Sequence, residues 1–213
     1  MLFRSSAQSR SRTVRWGKEA ARTLDIFDVM YGLVNRAIES LIRDRFGRTR
    51  WDAIKARAHI DLPSFVGMEA YPDSVTYGLV AAASQELQIP AGALLEAFGE
   101  YWILYTAQEG YGDLLAIGGR TFIEFIQNLD RLHAHVGLSF PDLHPPSFWC
   151  TDLTPHSLTF HYRSEREGLA PMVIGLVRGL GRRFGTEVTI VHTARRGDGV
   201  DHDVFNITYK PVV

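Results

Sequence analysis

The sequence predicts an α+β fold: a helical N-terminal lobe followed by a small antiparallel β-sheet with a packed helix. From Met30 onward, apolar residues recur at three- and four-residue spacing for about 110 residues. After PDLHPPSFWC the runs turn short, β-branched and aromatic, at 156–164, 186–194 and 202–210. A single helical pattern, at about 169–184, separates the first two of them.

Taken in order, MYGLVNRAIESLIRDRFG puts Leu33, Val34, Ala37, Leu41 and Ile42 on one face and stops at Gly47, so a helix is expected to open at Met30. WDAIKARAHI reads as a short second helix, and Pro63 breaks the chain after it. Helices are expected around 73–88, 90–107 and 110–118, with Pro90 suited to a helix start. Gly118 and Gly119 then punctuate before a long helix from about 120 to 138. RRGDGVDHD, between the last two strand runs, reads as a turn-rich hairpin loop. Residues 1–29 differ: Arg4, Arg10, Arg12, Arg15, Lys18 and Arg22 among serines give a basic leader outside a single domain at 30–213.

Composition narrows the function. A hydrophobic content of 46% and a net charge of -1 describe a soluble globular chain with no bias toward nucleic acid or a membrane surface. The lone cysteine, Cys150, excludes an internal disulfide and a cysteine-only metal cluster, so a cytoplasmic setting is expected. Cys150 itself is expected to be a packed thiol. No apolar run approaches the roughly 20 residues of a membrane span. GLVRGLG lacks the order and the preceding strand of a dinucleotide fingerprint, and its glycines fit helix packing better. No nucleophile elbow and no zinc-binding spacing is present.

In TFIEFIQNLDRLHAHVGL, residues Phe122, Phe125, Ile126, Leu129, Leu132 and Val136 form one stripe. His133 falls in that stripe, whereas His135 lies about 200° further round and should be exposed. Two readings of His133 stand: a core histidine bonded to the backbone, or a neutral imidazole projecting into an apolar cavity as an axial base for haem iron. LTFHYRSEREG bears on the choice. Read as a strand, it puts Tyr162, Ser164 and Arg166 on one face, three donors suited to the carboxylates at a haem edge.

MYGLVNRAIESLI, LHAHVGLSFPDLHPPSFWC and YRSEREGLAPMVIGLV together resemble the haem nitric oxide/oxygen binding (H-NOX) family, over about Met30 to Val213. The resemblance implies a haem b held between the two lobes, with His133 as proximal iron ligand and Tyr162, Ser164 and Arg166 on the propionates. It implies that Pro146 presses on the porphyrin and distorts it, helped by a rigid ring and a backbone that cannot relax. It also places Val34, Ile38, Met172, Leu176 and Trp102 around the distal pocket.

The function so implied is a gas sensor, not an enzyme: a haem enzyme needs a distal acid–base pair, and Val34, Ile38 and Met172 transfer protons poorly. Dioxygen is held well only beside a hydrogen-bond donor, which Met172 and Leu176 cannot supply, whereas nitric oxide and carbon monoxide bind without one. The expected ligands are therefore nitric oxide and carbon monoxide, with dioxygen excluded. The expected partner is a signalling protein in trans, a histidine kinase or a cyclic-di-GMP enzyme. The alternative is a dioxygen sensor that uses Trp102, or the nearby Tyr101, as distal donor.

Overall fold

The structure, a computed structural model, describes residues 29–106, 112–138 and 143–212. The expected basic leader lies outside them except for its last residue, Val29. The chain opens with a strand β1 (Val29–Tyr31), then helices α1 (Gly32–Phe46) and α2 (Arg48–Arg57), strand β2 (Ala70–Pro72), and helices α3 (Asp73–Leu87), α4 (Ala91–Thr106), α5 (Gly112–Gly118) and α6 (Phe122–Gly137). The second half contains β3 (Ser147–Thr151), β4 (Ser157–Arg163), α7 (Ala170–Arg183), β5 (Thr186–Ala194) and β6 (Asp203–Pro211).

Met30 does not open the first helix. It pairs with Tyr71 in the antiparallel β1–β2 ribbon, and α1 starts two residues later. The reason is local crowding: a Cβ on Gly32 would run into Val66 and Tyr71, so the loop over 65–71 lies against the start of α1 and holds the preceding residues extended. The main sheet has order β3-β4-β6-β5 and is antiparallel throughout. Its first strand, Ser147–Thr151, is an addition to the three runs read from sequence.

Two cores form. One joins α1, α2, α3 and α4 through Leu33, Ile38, Ile54, Leu79 and Phe98. The other packs α6 and α7 on the inner sheet face through Phe125, Ile126, Phe160, Val177, Phe205 and Ile207. The α6 stripe is buried from Phe122 to Leu132 as its spacing requires, with Val136 half-buried, and Thr121 caps that helix by accepting the Glu124 N–H at 3.2 Å. Trp102 packs against both cores, so α4 is the shared wall. That contact needs glycine: a Cβ on Gly175 would overlap the Glu96 carbonyl, and one on Gly99 would overlap the Met172 carbonyl. Among the described residues no helix is long and apolar enough to cross a membrane.

A buried ion pair ties the lobes. Arg166 Nε donates to Asp73 Oδ2 at 2.7 Å, with only 9% and 10% of the two side chains exposed. Arg166 also donates to Val29 O at 2.7 Å and to His144 O at 2.9 Å, so β1, α3 and the segment before β3 converge on one guanidinium.

Two outcomes follow from this packing, both readable in urea unfolding. Gly175→Ala should destabilise the protein by about 1–3 kcal/mol or more, because helix backbones must separate, whereas Gly78→Ala, with open space around it, should stabilise by roughly 0.5–1 kcal/mol. Asp73→Asn, which leaves Arg166 buried with its charge uncompensated, should cost about 3–5 kcal/mol.

Candidate functional site

Between the two cores lies a cavity of about 290 Å³, at the lower edge of the roughly 300–1,000 Å³ common for small-molecule sites. Its walls are overwhelmingly apolar. α1 contributes Val34 and Ile38, α4 contributes Trp102, α6 contributes Leu129 and His133, and α7 contributes Met172 and Leu176. Pro146, Tyr162, Ser164 and Arg166 line it too, so the ten residues that the resemblance assigns to a haem site all border the same cavity.

His133 combines the two readings left open above. Its Nδ1 lies 2.9 Å from the carbonyl oxygen of Leu129, one turn back on α6. A carbonyl only accepts, so Nδ1 carries the proton and Nε2 keeps its lone pair. Burial pushes the imidazole below its ordinary range, partly countered by that backbone bond, so the ring is neutral near pH 7. Phe148 packs 5.1 Å from it, centroid to centroid, and the Phe148 N–H donates to Asp130 Oδ1 at 3.0 Å, which fastens β3 to α6 beside the histidine. The backbone bond thus orients the ring and fixes its tautomer, as a hydrogen-bonded outer partner does for a metal-ligating histidine.

At the polar rim the arrangement differs from a straight strand. β4 ends at Arg163, so Ser164 and Arg166 lie in the turn that follows. They meet because Ser164 Oγ accepts the backbone N–H of Arg166 at 3.1 Å, a local turn bond of the kind serine favours. Burial raises the pKa of the Tyr162 phenol, partly countered by the neighbouring Ser164 side chain. The Arg166 fork is less open than its sequence position suggests. Four of its five N–H groups find acceptors in Asp73, Val29 and His144 among the described residues.

The distal candidates separate cleanly. Met172 and Leu176 offer no donor, and Trp102 reaches the cavity beside Phe98 and Tyr105, with ring centroids 5.9 Å and 6.4 Å away. Tyr101 does not line the cavity: its phenol donates to Asp44 Oδ2 on α1 at 2.9 Å, and burial together with that carboxylate pushes its pKa up to about 12. The expectation that Tyr101 could serve the site is corrected, because α4 turns it toward α1. Thr76 and Thr106 were missed in the sequence; both line the cavity, but their hydroxyls donate to Asn35 Oδ1 and Trp102 O, each at 2.7 Å. Asp73 was missed too, since an aspartate in the first turn of a helix carries no sign of burial. Cys150 is half-buried, with its thiol pushed up to about 11 by burial, which suits packing rather than reactivity.

A neutral imidazole with a free Nε2 in an apolar cavity, and phenol, hydroxyl and guanidinium at its rim, fits a flat, apolar, iron-bearing ring with carboxylate edges. Known proteins agree on the fold. The chain superimposes on an H-NOX protein from S. oneidensis, solved in the Fe(II)NO ligation state, with TM-score 0.77 at 20% identity, covering 85% of this chain and 99% of that one. The Fe(II) unliganded H-NOX protein from K. algicida gives TM-score 0.73 at 23% identity, covering 85% and 97%. Soluble guanylate cyclase gcy-31 of Caenorhabditis elegans is 30% identical over 162 residues, which is 76% of this chain and 23% of the cyclase. The soluble guanylate cyclase subunit beta-2 of Rattus norvegicus is 35% identical over 92 residues, 43% of this chain and 14% of the subunit. The chain thus spans about a quarter or less of the length of these cyclases. The family described as Haem-NO-binding matches residues 31–192, all but two residues of β1, α1 through α7 and most of the sheet, and the chain belongs to that family, the H-NOX domains.

Proposed function

We propose that this protein is a haem-based gas sensor that binds nitric oxide and carbon monoxide, excludes dioxygen, and passes the state of its site to a signalling protein in trans. The observation that carries this reading is His133: a tautomer fixed by Leu129 O, a neutral ring and a free Nε2 in an apolar cavity. Haem b would supply an iron centre able to take up a diatomic gas.

The chain's own residues do the rest. His133 would hold the iron from α6, and its bond to Leu129 O resists rotation of the ring. Tyr162 and Ser164 would donate to the propionates. Arg166 would add its charge and its remaining Nη1–H while Asp73, Val29 O and His144 O hold the rest of the fork. Pro146 presents a rigid ring to the porphyrin face. Val34, Ile38, Met172 and Leu176 keep water and proton donors away from the gas, which argues against catalysis on it.

Gas selectivity then turns on donors. The hydroxyls of Thr76 and Thr106 already have acceptors, Tyr101 is turned away, and Tyr77 donates to Glu167 O at 2.9 Å. Trp102 is the side chain that would favour the alternative, a dioxygen sensor, through its indole N–H. As for output, the relatives are cyclases in which the matched region is about a quarter of the chain or less, which supports reading it as a sensory unit distinct from the catalyst it controls.

His133→Gly should lose haem on purification and regain it when imidazole is supplied, as read from the visible spectrum; a ferrous spectrum unchanged from the wild type would remove His133 as the ligand. Reduced protein exposed to air should show no persistent dioxygen adduct, yet should bind nitric oxide and carbon monoxide. A stable adduct abolished by Trp102→Phe would instead establish the alternative.

A further inference from the structure

The loop RRGDGVDHD between β5 and β6 contributes no residue to the cavity wall, yet it reaches back to the rim. Arg196 Nη1 donates to Ser164 O at 2.5 Å and, more weakly, to Glu165 O at 3.4 Å. Its Nη2 lies 4.0 Å from Glu167 Oε1. Asp201 of the same loop accepts from Arg163, the last residue of β4. The loop therefore grips the chain where β4 ends and the turn carrying Ser164 and Arg166 begins.

Arg196 is itself anchored to the sheet. Its backbone N–H donates to Asp203 Oδ1 at 3.2 Å, and the same oxygen accepts from His192 Nε2 at 2.8 Å. The His192 ring stacks on buried Phe205, centroids 4.4 Å apart, and its other nitrogen accepts from Arg195 Nη1 at 3.0 Å. Only 7% of the His192 side chain and 13% of the Asp203 side chain are exposed, so the base of the loop is part of the packed sheet.

The grip supplies order more than energy. Water would satisfy the Ser164 and Glu165 carbonyls in a solvated turn, so the guanidinium adds little net hydrogen-bond energy and mainly restricts the backbone. Peptide groups are planar, so holding the Ser164 carbonyl fixes the whole peptide between Ser164 and Glu165. That restricts the direction of the Ser164 side chain, whose oxygen accepts the Arg166 N–H at 3.1 Å and keeps its hydrogen for an anion. The far end of the turn is held separately. Tyr77 on α3 donates to Glu167 O at 2.9 Å, and Asp73 holds Arg166. Loss of Arg196 would free the Ser164 end and leave the Arg166 end in place.

We propose that Arg196 is a positioning residue of the site: it holds the Ser164 hydroxyl in place for a haem carboxylate and so slows the loss of haem. The inference rests on the haem reading above and adds to it a residue 32 positions from Ser164 in the chain. A preorganised site binds more tightly because less freedom is lost on binding. Arginine suits the task because its fork reaches two carbonyls and faces a carboxylate, which the point charge of a lysine cannot do at once.

The test follows haem dissociation from the loaded protein into an excess of a haem-scavenging apoprotein. Arg196→Gln should lose haem about three- to tenfold faster than the wild type. Lys210→Gln, which removes a surface cation paired with Glu187 on β5, should leave the rate unchanged. In a Ser164→Ala background, Arg196→Gln should have little further effect, because the side chain it positions no longer donates. The ferrous Raman spectrum of Arg196→Gln should show a shifted propionate-bending mode and an unmoved iron–histidine stretch. Amide hydrogen exchange should quicken at residues 164–166 and stay unchanged in β6, which separates a freed turn from a loosened sheet. A wild-type dissociation rate in Arg196→Gln, or full acceleration in the Ser164→Ala background, overturns the role of Arg196 and leaves the cavity reading standing. A wild type that takes up no haem overturns both.

Discussion

A guanidinium buried where the two lobes meet is the constraint on which much else rests. Arg166 could not sit there alone, since an unpaired buried charge costs several kcal/mol. Its acceptors come from three separate places: the Val29 carbonyl of the ribbon, the Asp73 carboxylate at the head of α3, and the His144 carbonyl before β3. Each is fixed in space by the need to satisfy that one side chain. The rim of the cavity, including the Ser164 turn that presents Tyr162, is therefore set by the same interaction that holds the lobes in register. Under the proposed function this couples cofactor binding to lobe geometry, because a propionate and Asp73 address one guanidinium and each must alter the other's affinity.

Glycine sets the other wall. With Gly99 and Gly175 the backbones of α4 and α7 touch, so Trp102, Met172 and Leu176 arrive in one cavity although they come from helices far apart in sequence. The largely apolar character of that wall has two consequences. It leaves the Trp102 indole N–H as the donor that this wall offers, and it lowers the local dielectric around His133, which keeps the imidazole neutral and its Nε2 available.

β4 serves two environments at once. Its inner residues Phe160 and Tyr162 complete the core and the cavity, and its outer residue His161 meets Trp149 and His202 on the opposite face. Strand alternation places these two chemistries back to back without mixing them: one is dry and apolar, the other a solvated polar line that ends in carboxylates.

What the sequence determined by itself was whatever depends on local periodicity and residue chemistry. The α6 stripe, the turn loop between β5 and β6 and the helix-packing role of Gly175 could all be read from spacing, because each is a property of neighbours along the chain. His133 could be placed on the buried face for the same reason. Of its nine companions in the cavity, Tyr162, Ser164 and Arg166 were legible as a set of donors, and the other six only through resemblance to a family. Tertiary structure alone decided the rest. Met30 became a strand because the distant loop at 65–71 crowds Gly32, and the aromatic Ser147–Thr151 segment became an edge strand because β4 offered it a partner. Tyr101 turned to Asp44, Asp73 became a buried counter-ion, and His161 met His202 across 41 positions of chain. Such pairings depend on which surfaces meet, and no local pattern of residues records a partner that lies tens of positions away.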